Sequence, residues 1–293
     1  MESAVKRPRV SVILPVFNGR NTLLAAVQSI VDQSFLDWEL IVLDDGSTDG
    51  CVNDLVDLKD SRIRVQSDGL RKGLATRLNE GIDLSSGFYI ARMDADDLCF
   101  PGRLEKQVSY LDAHPEIDLL ACKVMGFLVA DDQVSVSLLP YCQTHAELIA
   151  SPWRGIYMPH PSWIGKSEWF RTYRYGLPEV IRAEDQELLL RAMPKSTYYC
   201  MPDILLAYRL GPFNLSKSLL ARRELYKAQL DIFLKRGQLS FIFKSSWVTM
   251  QKIIYDFSRA ILPTAFFLRR GLGDPIAKMS LSEFHMLMKK YGD

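Results

Sequence analysis

The sequence predicts an α/β protein with a mostly parallel central sheet, helices on both faces and a helical C-terminal extension. From Val10 to about Leu120, short apolar runs alternate with segments of helical spacing, the βαβα order that builds a parallel sheet. Three of these runs end in PVFNG, DDGSTDG and DADD, loops that such a sheet gathers at the carboxyl ends of its strands. Beyond about Leu219 the pattern changes to long amphipathic stripes.

In chain order, Val10 to Val16 is the first strand. Leu23/Leu24, Val27 and Ile30/Val31 then recur at helical intervals. Trp38 to Leu43, Ile63 to Gln66 and Phe88 to Met93 read as further strands. Pro101 suits the first turn of a helix carrying Leu104, Val108 and Leu111, and Ile117 to Val124 is the next strand. After Val124 the pattern loosens through an aromatic and proline-rich stretch, Pro152 to Trp169, before a helix opening at Ala183-Glu184-Asp185. Leu219, Tyr226, Leu230 and Phe233 form one C-terminal stripe; Trp247, Met250, Ile254, Phe257 and Ile261 form another. A boundary near Ser216 divides the chain into residues 1–215 and a helical extension, 216–293.

At 293 residues, 48% hydrophobic and 24% charged, the chain has the composition of a folded protein with a sizeable core. A net charge of +1 gives no global attraction for nucleic acid, which is not expected as a partner. Five widely spaced cysteines without a C-x-x-C argue against a disulfide framework or zinc ribbon and for a reducing, cytoplasmic compartment. Lys6, Arg7 and Arg9 before Val10 to Phe17 imitate a signal peptide, but the run meets Asn18-Gly19-Arg20 with no small-x-small cleavage site. No run approaches the roughly 18 apolar residues of a membrane span; the nearest, Ala260 to Leu268, is interrupted by Pro263.

Four constellations have chemical potential. Asp94 and Asp96, two apart after an apolar strand, can present oxygens to one hard cation such as Mg²⁺ or Mn²⁺, or else form an acidic turn before the next helix. Asp44 and Asp45 end a strand, where a carboxylate can accept the N3–H of uracil or simply brace a turn. Glu184 and Asp185 open a helix, whose dipole keeps a carboxylate ionised for general-base work; a plain cap is the other reading. His160 lies between two prolines and can face a substrate. There is no G-x-S-x-G, Walker A or G-x-G-x-x-G.

Together these residues resemble the family 2 inverting glycosyltransferases, bacterial nucleotide-sugar enzymes with the GT-A fold. The resemblance runs from about Val10 to Tyr208 through five blocks in the family's order: SVILPVFNG, then Gln33-Ser34-Phe35 leading into WELIVLDDGSTDG, KGLATRLNEGI, GFYIARMDADDLCFPGRLEKQV and AEDQELLLRA. It implies a GT-A domain over residues 1–215, a nucleotide-sugar donor, first of all a UDP-sugar, and a saccharide or lipid-linked acceptor. It further implies that Pro15, Val16 and Phe17 line the base and ribose pocket. Asp44 would bind the uracil edge while Asp45 supports that loop, with Lys72 and Arg77 near the nucleotide. Asp94, Ala95 and Asp96 match the D-x-D motif that holds Mg²⁺ or Mn²⁺, Asp96 as the direct ligand. Asp185 matches the catalytic base, with Glu184 beside it near the acceptor. His160 and Pro161 match a common His-Pro of unassigned role. Two departures stand out: Thr76-Arg77-Leu78-Asn79 where many members show Ala-Arg-Asn, and Gln186-Glu187 where an aromatic residue then Asp is common.

Competing readings are a haloacid-dehalogenase-like phosphatase with Asp94 as nucleophile, and a non-catalytic sugar-binding protein. The former requires Thr or Val where Asp97 and Leu98 stand. The stripe Trp247 to Ile261, with Lys244, Lys252 and Arg259 around it, is expected to pack on its own domain, Phe257 included, and any membrane contact to centre on Phe266, Phe267, Arg269 and Arg270. The alternative is peripheral contact with the cytoplasmic membrane face through the C-terminal helices.

Overall fold

The computed structural model describes residues 7–130, 133–178, 180–261 and 278–291. Its N-terminal half is the expected parallel sheet. Strand β1 (Val10–Val16) pairs in parallel with β2 (Trp38–Asp44) and β4 (Tyr89–Arg92), and β2 with β3 (Ile63–Ser67). Strands β1 and β2 are largely apolar because both faces are covered, whereas β3, at the sheet edge, is largely exposed. Val10, Val12, Leu14 and Val16 enter a core with helices α1 (Leu23–Val31) and α3 (Arg103–Ala113). Ile13, Ile41 and Leu43 enter another, under α2 (Leu74–Leu84).

Helix α2 was not expected from the sequence. It packs so closely that a Cβ on Gly81 would stand 2.7 Å from Leu43 Cδ1. Helix α3 begins at Arg103, with Pro101 in the turn before it, its carbonyl accepting from Ser34 N. Pro101 is therefore not a first-turn residue.

The second half of the sheet is mixed. Its strands are β5 (Leu98–Cys99), β6 (Leu119–Ala130), β7 (Gln133–Leu138), β8 (Ile164–Lys166) and β9 (Tyr198–Arg209), and the full order is β3-β2-β1-β4-β8-β6-β9-β5, with β7 beside β6. Strand β8 runs antiparallel to β4 and β6, whereas β6 and β9 are parallel. Helices α4 (His145–Ile149), α5 (Ser167–Thr172) and α6 (Glu184–Ala192) fill this half, α6 starting where the sequence places it.

Helices α7 (Leu215–Lys235) and α8 (Leu239–Ile261) form a hairpin, and α9 (Lys278–Tyr291) returns to the sheet, seating Phe284 and Leu287 beside Leu98 and Phe127. One expectation is overturned here. Trp247, Met250, Ile254, Phe257 and Ile261 face outward, and the buried residues of α8 are Ser245, Val248 and Asp256. The cause is polar: the Asp256 carboxylate accepts from Ser218 Oγ (2.5 Å) and Arg222 Nε (3.2 Å) of α7, which turns that side inward. Phe266, Phe267, Arg269 and Arg270 lie outside the described residues. Among those described, no helix is long and apolar enough to cross a membrane.

Candidate active site

A cleft of about 1090 Å³ opens at the carboxyl ends of β1, β2 and β4, where the strand-end loops were expected to meet. Of the residues singled out from the sequence, Phe17, Asp45, Lys72, Asp94, His160, Pro161, Glu184 and Asp185 line it. Pro15 and Val16 are buried in β1 and do not; only Phe17 emerges, with the Arg71 guanidinium 4.2 Å from its ring.

The neighbouring aspartates at the end of β2 divide the work. Asp44 is 3% exposed, accepting from Ser47 N (2.9 Å) and Ser67 Oγ (2.6 Å), so it braces the turn and stands off the cleft wall. Asp45 faces the cleft and accepts from Lys72 N (2.7 Å), Gly73 N (3.1 Å) and Arg77 Nε (3.2 Å). The loop it braces is the one at Lys72 and Gly73, rather than its own strand-end loop. Arg77, expected near the nucleotide, is instead wholly buried and paired with Asp68 and Glu80. It reaches the cleft only through Asp45.

Past β4 the turn gathers Asp94, Asp96 and Asp97, with one carboxylate oxygen of each within 4.8 Å of the others. Desolvation and the adjacent Asp94 charge push the Asp96 carboxyl up. Burial, with Asp94 and Asp96 beside it, pushes Asp97 well above the usual carboxylate range. Asp97 Oδ1 accepts from Arg209 N (2.9 Å), while its buried Oδ2 has no hydrogen-bond partner. Clustered hard oxygens, mutually repelling and one of them orphaned, fit a divalent cation such as Mg²⁺ or Mn²⁺. Ala95 separates the first two acids and does not line the cleft. Asp94 is held from below by Arg92, whose Nη1 donates to Oδ2 (3.0 Å) and whose Nη2 donates to Oδ1.

Across the cleft, Asp185 stands at the start of α6, and Gln186 fixes its surroundings. Gln186 Oε1 accepts from Ile156 N (2.9 Å), and its Nε2 donates to Ile156 O (3.1 Å) and to Asp185 Oδ2 (3.2 Å). Burial raises the Asp185 pKa against the opposing effect of Gln186 and of Arg92. His160 Nε2 lies 2.6 Å from Tyr175 Oη and its Nδ1 3.8 Å from Glu184 Oε1. Burial, reinforced by Arg92, keeps that ring neutral.

Sequence reasoning missed Arg71, Arg92, Gln186 and Tyr208 as cleft residues. Arg92 carried a signal: an arginine closing an otherwise apolar strand, next to three acids, needs a buried counter-charge.

The model of Glycosyl transferase family 2 matches residues 11–174, more than half of the chain. The chain belongs to that family. Among family 2 relatives, EpsE of Bacillus subtilis is 41% identical over 128 residues, 43% of this chain and 45% of that protein. WfgD of Escherichia coli, named as a UDP-Glc:α-D-GlcNAc-diphosphoundecaprenol β-1,3-glucosyltransferase, is 35% identical over 35% of this chain and 40% of its own. The chain thus spans less than half the length of these two curated relatives. The solved mannosyltransferase PcManGT of Pyrobaculum calidifontis, in complex with GDP-Man and Mn²⁺, superposes with a TM-score of 0.61 at 18% identity, over 91% of this chain and 80% of that one. The fold is the GT-A fold of these transferases. Neither the phosphatase nor the silent sugar-binding reading is favoured, and Asp94, gripped by Arg92, is poorly placed as a free nucleophile.

Proposed function

We propose that the protein is an inverting glycosyltransferase that moves a sugar from a nucleotide-diphosphate donor, a UDP-sugar, to a hydroxyl of a saccharide or lipid-linked acceptor. In this reading residues 1–215 are the catalytic unit and 216–293 the extension. The protein is cytoplasmic and meets a membrane peripherally through its C-terminal helices. The observation that carries the reading is the cleft itself, which in a family 2 chain joins Phe17 and Asp45 to the acidic cluster and, across from them, to Asp185. The name of WfgD supports a uridine donor and a lipid-linked acceptor, and that of the PcManGT complex, which holds GDP-Man, supports a nucleotide-sugar donor and Mn²⁺ as the metal.

The reaction is a single in-line displacement. Asp185 takes the proton of the acceptor hydroxyl as its oxygen bonds to the anomeric carbon of the α-linked donor. The bond from that carbon to the diphosphate breaks with its electron pair, leaving a β-glycoside and a nucleoside diphosphate. General-base assistance of this kind contributes about 10²- to 10⁴-fold. Asp94, Asp96 and Asp97 would hold a divalent cation, which would supply charge neutralisation for the diphosphate. Phe17 and Arg71 offer a flat apolar and cationic wall to the base, Asp45 keeps the loop at Lys72 and Gly73 in place, and Gln186 fixes the Asp185 carboxylate.

Calorimetry with UDP, GDP and dTDP, with Mn²⁺ and with EDTA, tests the donor. UDP is expected to bind most tightly and to lose affinity on chelation. Equal weak heats for all three, indifferent to EDTA, would overturn the reading.

A further inference from the structure

Six large apolar side chains of α8, Phe243, Trp247, Met250, Ile254, Phe257 and Ile261, follow one another at alternating steps of four and three residues and fall on one face of the helix. They are between 43% and 79% exposed, far more than a helix face packed on its own domain retains. Tyr226 Oη lies 2.9 Å from Ser246 Oγ, so α7 flanks one edge of this face. The opposite side of α8 is anchored: Asp256 to Arg222, Lys252 Nζ to Arg154 O (2.7 Å), and Lys244 Nζ above the Trp153 ring (4.1 Å). The outward face is therefore fixed by polar contacts behind it.

Charge indicates what this face meets. Residues 215–261 hold nine Lys and Arg against three Asp and Glu, in a chain whose net charge is only +1. Of the three acids, Asp256 is buried, and Glu224 is paired with Arg223 and Lys227. Two copies joined through α8 would bring two cationic hairpins together, whereas an anionic surface attracts the same charge. Phe and Trp on an amphipathic helix with basic flanks suit a lipid interface.

We propose that the outward face of α8 docks on an anionic lipid bilayer, with Phe243, Trp247, Ile254 and Phe257 entering the headgroup boundary. The docked helix rests on Pro152–Arg154, and the chain then runs from Ile156 to Pro161 along the cleft wall, beside Glu184 and Asp185. Docking thereby brings the acceptor side of the cleft near the bilayer, where a lipid-linked acceptor resides. This deepens the transferase reading and rests on it for the acceptor. Vesicle binding is measured without donor or transfer, so the failure of either is distinguishable.

The experiment is co-sedimentation of the full chain with vesicles of mixed phosphatidylcholine and phosphatidylglycerol, and of phosphatidylcholine alone, at low and high salt. Binding is expected on the mixed vesicles, weakened by salt and by removal of the anionic lipid. The double variant Ile254→Glu/Phe257→Glu should weaken it by more than about tenfold with the Tm retained, because both side chains are already in solvent. Should that variant fail to fold, Ile254→Ser/Phe257→Ser serves in its place. Absence of sedimentation, binding indifferent to the variants, or a dimer in light scattering that they dissociate would each overturn the proposal. The last outcome would assign the face to a second copy.

Discussion

Arg92→Met is the most informative single perturbation of this cleft. The arginine is 2% exposed and grips both oxygens of Asp94, one of a cluster of three acids. Methionine roughly keeps the side chain's length and removes its charge. Breaking a buried ion pair by deleting one partner costs about 3–5 kcal/mol. Asp94 keeps 27% of its side chain in solvent, so the lower end, about 3 kcal/mol, applies. In a protein of this size about 3 kcal/mol lowers the Tm by roughly 6–12 °C.

The sign reverses when a divalent cation is added. Without Arg92 the acids have lost their internal counter-ion, so Mn²⁺ should bind the variant more tightly and restore part of the lost stability. The measurement is a thermal melt of both proteins in EDTA and across a Mn²⁺ titration. The expected result is a large Tm deficit in EDTA that narrows with Mn²⁺, the variant gaining more than the parent. A deficit of equal size in EDTA and in saturating Mn²⁺ would refute the claim that Arg92 and the cation serve the same charges.

Three further outcomes follow from the opposite wall. Asp185→Asn should retain UDP affinity while transfer falls about 10²- to 10⁴-fold, and near-normal turnover would reduce Asp185 to a helix cap. Because burial raises its pKa and only the ionised form accepts a proton, kcat should fall with decreasing pH at a point above the usual carboxylate range. Gln186→Leu removes a donor to that carboxylate and should shift the acid limb further upward; an unmoved limb counts against the assignment.

What the sequence conveys depends on which physical signal dominates each segment. Strand β1 runs from Val10 to Val16, as read, because a strand covered on both faces is a plain apolar run between breaks. Helix α2 escaped notice because Arg77 and Asn79 are among its buried residues, and a periodicity search scores both as outward-facing. Helix α8 was turned the wrong way for a related reason: its apolar stripe was assumed to mark the inside, but Asp256 with Ser218 and Arg222 marks it. The gathering of strand-end loops was legible because topology alone dictates it. Choosing between Asp44 and Asp45 was not. Asp44 is the last residue of the β2 ladder, in register with Val16 and Ser67, and a one-residue step reverses which side of the sheet a side chain serves.

The distribution of charge also bears on the order of events in the cleft. A diphosphate entering it meets Asp45 and Asp94, with Asp96 and Asp97 clustered beside Asp94, yet these acids are not equivalent. Asp45 is matched by Arg77 and two backbone donors, and Asp94 by Arg92. Burial and the Asp94 charge raise the Asp96 carboxyl, and burial with the charges of Asp94 and Asp96 raises that of Asp97. Of the positive groups lining the cleft, Arg92 is held by Asp94, whereas Arg71 and Arg182 lie on separate loops. Without a cation, phosphates near Asp96 and Asp97 would add to that negative charge; with one, the same oxygens become part of the binding site. In the proposed mechanism the metal would therefore serve donor binding first, on the β4 side, and Asp185 the proton transfer, on the α6 side. Chelation should raise the donor KM before it alters the pH at which Asp185 titrates, because the two effects arise from charges on opposite walls.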